Sequence, residues 1–364
     1  MVQISHIKQV GKFLGMEGKM YIPKTQATKP TILDGFKAQL SSDRMVHSNI
    51  RKINKSGHRE MPKAKNAFLQ ELKKNGLDVF DTDIMPGETK KQYAERLKQS
   101  ELFDVIFSSR VKGIESTRSK MLKQIEKMKN FDTNPELMDT KTRDAYDDSM
   151  KILNNFLTNK PTNEKYKFLV GDTLGLRISA NQEQKNGKKV SNLVFKSLGN
   201  LDKKNKIKTK AIENYYGKGI EPYTTRAEIE KHFDTAIYAQ TEKKYGYTRV
   251  NSDINVNGIN GEFQYGGKHT SNWGDKEHVL YDKRSNKKLD TSHYTPEQTR
   301  LAKEIRNKYG QLLKDEQKDE KYALYLKEVW TEARNAEKTE SHFVAPLLPN
   351  EFNQILSAEN ILKL

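Results

Sequence analysis

Four short segments of the sequence carry side chains whose types and spacing suit chemistry on phosphorylated substrates. They are residues 110–120, 171–177, 246–251 and 261–264. Cations hold phosphate groups, carboxylates hold a hard metal ion or accept a proton, and an aromatic ring stacks on a nucleobase. Each segment alone also fits an ordinary structural role, so the functional interpretation depends on their combination and order.

The first segment is a row of cations. Residues 104–129 have apolar positions at helical spacing, and they predict a helix on which Lys112, Ser116 and Lys120 share one face, with Arg110 near its start. Such a row would hold a triphosphate, because arginine binds phosphate oxygens in a bidentate way and lysine acts as a point charge. The alternative is a solvated face of a lysine-rich helix.

Two carboxylates lie on or next to predicted strands. Asp172 follows the apolar residues 168–170, and Glu262 is two residues before Gln264, so these two side chains share one face of a strand. Mg²⁺ takes one or two protein carboxylates together with phosphate oxygens, and a carboxylate also serves as a general base. The alternatives are a turn aspartate and an exposed strand face.

A glycine-tyrosine pair opens a later strand. Tyr247 follows Gly246, and its ring suits stacking on a base, although a core or turn tyrosine is the alternative. Asn251 lies four residues further on, and Glu277 with His278 adds polar groups beyond the strands.

The elements that must position these residues run from helices to strands and back to helices. Residues 1–60 lack sustained periodicity, apart from one short helix near 34–41. Helices are predicted over residues 62–74, 88–103, 104–129 and 134–159, near 225–240, and from 296 to 338 after a capping box at Thr295. Strands are predicted over residues 167–180, 190–198, 247–256 and 259–265. The predicted fold class is α+β: a mixed β-sheet core flanked by helices, with helical N- and C-terminal extensions.

Composition excludes several kinds of site. The 364 residues include 65 basic and 48 acidic side chains, a formal charge of +17, which favours polyanionic partners: nucleotides, RNA or an anionic membrane surface. There is no cysteine, so disulfides and thiolate chemistry are excluded. The sequence has no apolar run of roughly 20 residues and no secretory apolar region, which predicts a cytoplasmic protein, with export as an effector left open. Walker, GxGxxG, HExxH and GxSxG patterns are missing from the sequence, which disfavours those enzyme classes.

The order of the four segments resembles the synthetase domain of the RelA/SpoT family of alarmone synthetases, nearer its small or toxin-like branches. The resemblance covers about half of the chain and implies an extension over 1–98, the synthetase domain over 99–294, and a C-terminal helical region over 295–364. It implies that Asp172 and Glu262 are catalytic and bind Mg²⁺. The implied ATP-binding residues are Arg110, Lys112, Ser116, Lys120 and Arg177, and the implied acceptor-binding residues are Tyr247, Gln264, Asn251 and His278.

The reaction implied by the resemblance moves the β,γ-pyrophosphate of ATP to the ribose 3′-hydroxyl of a purine nucleotide, giving a (p)ppGpp-like alarmone. Asn251 stands where alarmone synthetases have histidine, and Tyr265-Gly266 replaces an arginine-threonine pair, so the acceptor stays open between guanine nucleotides, adenine nucleotides and the 3′ end of tRNA. A third alternative is a catalytically inactive module that binds RNA, or a protein partner through the extensions. The sequence has no His-Asp hydrolase motif, so alarmone degradation is not expected.

Overall fold

The computed structural model describes residues 44–119, 172–216, 226–234, 236–285 and 287–364. Its helices are α1 (Arg44–Lys74), α2 (Lys90–Lys98), α3 (Val190–Lys203), α4 (Arg226–Glu230), α5 (Lys268–Arg284), α6 (Pro296–Leu312), α7 (Glu316–Lys338) and α8 (Ala358–Leu362), with 3₁₀ turns at Ser100–Leu102 and Gln354–Leu356. Its strands are β1 (Val79–Asp81), β2 (Val105–Val111), β3 (Leu174–Ala180), β4 (Gln184–Lys185), β5 (Lys188–Lys189), β6 (Lys208–Asn214), β7 (Ile237–Gln240), β8 (Val250–Val256) and β9 (Ile259–Gly267).

Seven of these strands form one mixed sheet in the order β1-β2-β3-β9-β8-β6-β7. Strands β1 and β2 are parallel, as are β6 and β7, while β4 and β5 form a separate antiparallel hairpin. Strands β8 and β9 are joined by Asn257 and Gly258, which both have positive φ, as a two-residue hairpin turn requires. The predicted fold class, a mixed sheet with flanking helices and helical terminal regions, is confirmed.

One face of the sheet is covered by helices α1 and α3. The ring of Phe68 in α1 lies edge-on to Phe107 in β2 and Phe263 in β9, with centroid distances of 6.0 and 5.4 Å. Phe195 in α3 also contacts Phe263, at 6.0 Å. Because strand side chains alternate between faces, the opposite face of β9 carries Gln264.

The helix predicted over residues 104–129 is wrong in its first part. Residues 105–111 form strand β2, in which the alternate side chains Val105 and Phe107 are fully buried. This short run of β-branched and aromatic residues packs against the core with a period of two, which overrides the helical spacing of the longer segment. Residues 114–119 are helical, and residues 120–129 lie outside the described residues.

The strand predicted over residues 190–198 is wrong as well, because this segment lies in helix α3. Its buried apolar residues Val190, Val194, Leu198 and Leu201 recur every three or four positions, which is the periodicity of one helix face. The apolar run is short and rich in valine, so composition alone favoured a strand.

Other predictions differ from the structure mainly at the ends of elements. Helix α1 begins at Arg44, so residues 44–60, predicted to lack sustained structure, are helical. The helix predicted near 225–240 is only the short α4, and it is followed by strand β7. Helix α2 with its following 3₁₀ turn, strands β8 and β9, and helices α6 and α7 match the predicted segments. The helices predicted at 34–41 and 134–159 lie outside the described residues.

The last four helices share an aromatic core. Its buried rings are Trp273, Tyr309, Tyr322, Tyr325, Trp330 and Phe352. The hydroxyl of Tyr322 donates to the Leu356 carbonyl at 2.6 Å, so the ring that fills this core also fixes the chain before α8. The predicted capping box at Thr295 is present, with the Thr295 side chain accepting from the Gln298 amide.

By its internal contacts the chain divides into two compact units. The first contains residues 44–63, 110–119, 172–175 and 255–262 of the described chain, and the second contains the remaining described residues. The predicted domain limits at 98/99 and 294/295 stay predictions. None of the described helices combines the length and the apolarity needed to cross a bilayer.

Substitution of a core leucine in α7 tests the aromatic core. Leu326 is fully buried, whereas Leu324, two residues earlier in the same helix, is 64% exposed. We expect Leu326→Ala to lower the free energy of unfolding by about 2–5 kcal/mol, because it removes buried methyl groups and leaves a cavity. Leu324→Ala should change it by less than about 0.5 kcal/mol. Urea denaturation measures both, and equal losses would contradict the packing described.

Helices α3 and α4 meet at His232. The His232 ring nitrogen Nε2 lies 2.8 Å from Asn192 Oδ1, and a Cβ at Gly199 would be only 2.4 Å from the His232 carbonyl oxygen. Burial lowers the pKa of His232 from 6.5 to about 4, and three lysines add electrostatic repulsion to the protonated form. These lysines are Lys231, Lys196 and Lys203.

The depressed pKa predicts a pH dependence of stability. In the unfolded chain His232 binds a proton near pH 6.5, whereas in the fold it stays neutral until about pH 4. Its contribution to stability is therefore present above pH 6.5 and is lost as the pH falls towards 4. We expect His232→Gln to lose less stability than the wild type between pH 7 and pH 5 in urea denaturation. The same loss in both proteins would show that His232 titrates alike in the folded and unfolded chain.

Candidate functional site

The residues predicted to form the site fall into both units. The first unit contains the two predicted metal-binding residues and most of the predicted ATP-binding residues: Arg110, Lys112, Ser116, Asp172 and Glu262. The second unit contains Arg177, Tyr247, Asn251, Gln264 and His278, which are the predicted acceptor side and one ATP-side arginine. Lys120 lies outside the described residues.

Arg110 is the exposed side chain near the end of strand β2, not a helix residue. It extends over Gly175 in the neighbouring strand β3, where a Cβ would lie 2.9 Å from Arg110 Cγ and 3.1 Å from its Nε. Glycine at position 175 therefore leaves the space that the Arg110 side chain occupies.

Lys112 is held at the point where β2 ends. Its amide donates to the Thr173 carbonyl at 2.8 Å, and its own carbonyl accepts from Asn54 Nδ2 in α1 at 2.8 Å. Its Nζ lies 2.7 Å from Asp172 Oδ2, and the two side chains are only 14% and 16% exposed. The fold thus brings into contact a predicted cation and a predicted carboxylate that are 60 residues apart.

The prediction that Lys112 lies in a row of cations on one helix face is wrong. Lys112 precedes the helical residues 114–119, so it cannot share a helix face with Ser116. Ser116 lies within this helical segment and is exposed. Arg110 lies in strand β2 and Lys112 directly follows it, so the strand places these two cations and helical spacing does not.

Helix α1 explains why Lys112 lies where it does. A Cβ at Gly57 would be 2.9 Å from Val111 Cγ1 and 3.4 Å from Leu174 Cδ2, so the helix backbone lies against the ends of β2 and β3. Asn54 is one turn earlier on the same helix and reaches the Lys112 carbonyl. Sequence reasoning missed Asn54, although the spacing of Ile50, Ile53 and Gly57 is a helical signal.

Glu262 is a half-buried residue of strand β9, between the buried residues Gly261 and Phe263. Gln264 follows two positions later with the same partial burial, so both side chains lie on the face predicted from alternation. The opposite face of the strand packs into the core through Phe263.

The described residues can be tested for their fit to Mg²⁺. No group of three or more histidine, aspartate or glutamate side chains suited to a metal occurs in the part of the chain that the structure describes. Mg²⁺ requires fewer protein ligands, since it keeps water and takes phosphate oxygens from a nucleotide. The donor set of Asp172 and Glu262, a mostly buried and a partly buried carboxylate in one unit, fits a cation of this kind that arrives with its nucleotide.

In the second unit two arginines converge on Gln264. Arg177 Nε and Arg249 Nη1 both donate to Gln264 Oε1, at 3.3 and 3.2 Å. Asp275 in α5 accepts from Arg177 and lies 4.0 Å from Arg249 Nη2, which also donates to the Ser271 carbonyl. Burial lowers the pKa of Arg249, and the nearby Arg177 adds repulsion. No sequence pattern marks Arg249, since it is a single arginine between two predicted site residues.

Tyr247 is half-buried among other aromatic rings. Its hydroxyl donates to Asn251 Oδ1 at 3.2 Å, which joins two residues predicted on the acceptor side. Its ring lies edge-on to Tyr215 and to Trp330, each at a centroid distance of 5.6 Å. Strand β8 begins at Val250, so Tyr247 belongs to the loop before the strand.

His278 lies in the middle of helix α5. Its ring Nδ1 is 3.4 Å from Asp282 Oδ1, one turn further along, and its side chain is more than half exposed. The neighbouring Glu277 is buried and pairs with Arg284 at 2.6 Å. Of the two neighbouring polar residues, Glu277 therefore belongs to a buried ion pair and His278 lies at the surface.

Each unit thus contains a set of polar groups suited to a phosphorylated ligand: cations with carboxylates in the first, and arginines with an aromatic ring in the second. Comparisons with protein-family models, with curated proteins and with solved structures found no match to this chain. The functional assignment depends on the residues and their geometry.

Proposed function

We propose that this chain is a nucleotide pyrophosphokinase of the RelA/SpoT type, which transfers the β,γ-pyrophosphate of ATP to the ribose 3′-hydroxyl of a purine nucleotide. The observation that carries the proposal is the contact of 2.7 Å between Lys112 Nζ and Asp172 Oδ2, next to Arg110 extended over Gly175. Phosphoryl-type transfer needs phosphate-binding cations and a metal-binding carboxylate at one place, and both types of group are present here.

On the donor side, Arg110 and Lys112 would bind the phosphate oxygens of ATP, and the exposed hydroxyl of Ser116 would add a hydrogen bond. These charges favour the reaction because they stabilise the negative charge that develops on the phosphates and on the leaving AMP. Arg177 donates to Gln264 through Nε and to Asp275 through Nη1, so an ATP contact by Arg177 would use its other N–H groups or exchange one of those bonds.

In the chemical step the acceptor 3′-oxygen attacks the β-phosphorus of ATP. The bond between that phosphorus and the oxygen bridging the α- and β-phosphates breaks, and AMP leaves with the bridging oxygen. The proton of the 3′-hydroxyl goes to the Glu262 carboxylate, which acts as general base. Asp172 and Glu262 would hold Mg²⁺, which when bound neutralises charge on the phosphate oxygens.

On the acceptor side, Tyr247 would stack on the purine base. The ring is held by its edge contacts with Tyr215 and Trp330 and by the hydroxyl bond to Asn251. Stacking tolerates any purine because every base has a π-face, so this side supports purine binding without selecting guanine or adenine.

A second candidate is the same transfer to the 3′ end of tRNA. The observation that favours it is a group of exposed lysines between the end of helix α3 and the start of strand β6, at Lys203, Lys206 and Lys208. An RNA acceptor bound through several phosphates would lose affinity steeply as salt rises, whereas a free nucleotide would depend on salt only modestly.

The proposed function is tested by incubating the protein with Mg²⁺ and ATP labelled at the γ-phosphate, together with GDP, GTP, AMP, ATP or tRNA. Chromatography should show one acceptor that gains the label, with release of an equal amount of AMP. Repeating the reaction at two salt concentrations separates the nucleotide and RNA alternatives. Label that appears only in inorganic phosphate, or in no acceptor, would contradict the proposal.

Substitution of the two carboxylates tests the metal and base assignment. We expect Glu262→Gln to lower kcat by about 10²–10⁴-fold, the range for loss of a general base. Asp172→Asn should also lower kcat strongly, because it removes a carboxylate that would hold Mg²⁺. The melting temperature should stay within a few degrees, because each substitution keeps the size and shape of the side chain. Glu95→Gln, an exposed carboxylate that pairs with Lys98, is the control and should retain activity. Full activity of either site variant would remove the assignment.

A matched pair of glycine substitutions tests ATP binding by Arg110. Gly175→Ala places a methyl group 2.9 Å from Arg110 Cγ, so the arginine must move, whereas a Cβ at Gly113 meets nothing within 4 Å. We expect Gly175→Ala to weaken ATP binding by about 1.5–3 kcal/mol, the value of a charge-assisted hydrogen bond. Gly113→Ala should bind ATP normally in calorimetry. Normal binding by both variants would mean that Arg110 does not contact ATP.

A further inference from the structure

Residues 242–248 connect strands β7 and β8 without a helix or strand of their own, and they carry Tyr247. We name this segment the acceptor loop, a name that rests on the proposed function. Three sets of contacts join it to helix α7.

The first part of the acceptor loop is held by ion pairs and hydrogen bonds. Asp319, near the start of α7 and almost fully buried, accepts from Lys244 Nζ at 2.7 Å and from the Tyr245 hydroxyl at 3.0 Å. Glu242 pairs with Lys327 of the same helix at 2.6 Å. These contacts lie on both sides of residue 243, so the loop is bound to α7 at two successive points.

The backbone of the acceptor loop lies directly against the helix at Gly246. This residue has φ of +80°, and a Cβ here would lie 2.6 Å from Lys327 Cα and 3.0 Å from Trp330 Cδ1. Glycine is required for both the left-handed backbone and the close approach.

The third contact reaches Tyr247 itself. Its ring lies edge-on to Trp330, at 5.6 Å and 72°. Trp330 is in turn fixed by the ring of Trp273 at 6.4 Å and by Gly274, where a Cβ would be 3.0 Å from Trp330 Cη2. The orientation of the Tyr247 ring is thereby tied to the aromatic core of the last four helices.

The α7 residues in these contacts share one side of the helix. Asp319, Lys327 and Trp330 are separated by eight and three positions, which places them on one face. Tyr245 is also contacted by helix α5, because the guanidinium of Arg284 lies 4.0 Å from its ring centroid. Arg284 is fixed by Glu277 at 2.6 Å, so the buried member of the Glu277-His278 pair supports the same loop.

We propose that this face of α7 positions the acceptor loop, and that Trp330 and Asp319 are positioning residues for the ring of Tyr247. The C-terminal helices then complete the acceptor side of the site. Disturbing the loop–helix contact should affect use of the acceptor, and should leave use of ATP unchanged because the ATP-side cations Arg110 and Lys112 belong to the other unit.

Two glycines with the same backbone conformation provide the test. Gly246 and Gly87 have φ of +80° and +79°, but a Cβ at Gly87 meets nothing within 4 Å. Substitution by alanine therefore imposes the same backbone strain at both positions, and only Gly246→Ala displaces the loop from α7. Asp319→Asn is a second variant, which removes the charge that binds Lys244 and keeps the side-chain size.

The first measurement is hydrogen exchange of the amides in residues 242–248, in the full chain without substrate. We expect faster exchange there in Gly246→Ala and Asp319→Asn, and wild-type exchange in Gly87→Ala. The second is steady-state kinetics, in which both variants should raise KM for the acceptor by about 10- to 100-fold, the effect of a small misplacement. KM for ATP should change less than about twofold. Loss of folded enzyme would alter neither KM, so a rise in the acceptor KM alone reports displacement of the loop.

Faster exchange combined with a higher acceptor KM supports the proposal. Unchanged exchange in the loop overturns it, as does faster exchange with an unchanged acceptor KM. If the wild type labels no acceptor at all, the proposed function fails, and the exchange measurement alone then decides whether α7 holds this loop.

Discussion

The close approach of helix α1 to strands β2 and β3 at Gly57 is the constraint from which the donor side of the candidate site follows. A larger residue there would push the helix away from Val111 and Leu174. With the helix in place, Asn54 reaches the Lys112 carbonyl, and the Lys112 amide bonds to Thr173. These backbone contacts fix the chain on either side of the Lys112–Asp172 ion pair, so its geometry is set by the packing of the helix and not by the charges.

The acceptor side depends on a different balance, between burial and charge. Arg249 is almost completely buried beside a second arginine in a chain of net charge +17, a costly arrangement unless its hydrogen bonds are made. Gln264 and the Ser271 carbonyl accept hydrogen bonds from it, and Asp275 lies 4.0 Å from its Nη2 as a counter-charge. The need to satisfy the buried guanidinium of Arg249 therefore fixes the side-chain amide of Gln264 on strand β9.

The sequence allowed the fold class, strands β8 and β9, and helices α6 and α7 to be predicted, because these segments have strong periodicity and clear end signals such as Thr295 and Asn257-Gly258. It did not show where strand β2 ends and the helical residues after it begin, since Val105 and Ile106 fit both the helical and the strand periodicity. Residue type and order identified the candidate residues, but they did not show which of these residues contact each other in the fold. Contacts such as Lys112 with Asp172 join residues far apart in sequence, and Arg249 became visible only through its burial.

The edges of the seven-stranded sheet have a consequence for association of the folded chain. The strands at its two ends, β1 and β7, contain three and four residues. An exposed edge strand offers unpaired amides and carbonyls to a strand from another molecule, and the strength of such pairing grows with its length. Next to the β1 edge, Asp81 and Asp83 both pair with Lys65, which adds charged groups there. Within the described part of the chain, short edges of this kind disfavour strand addition between copies.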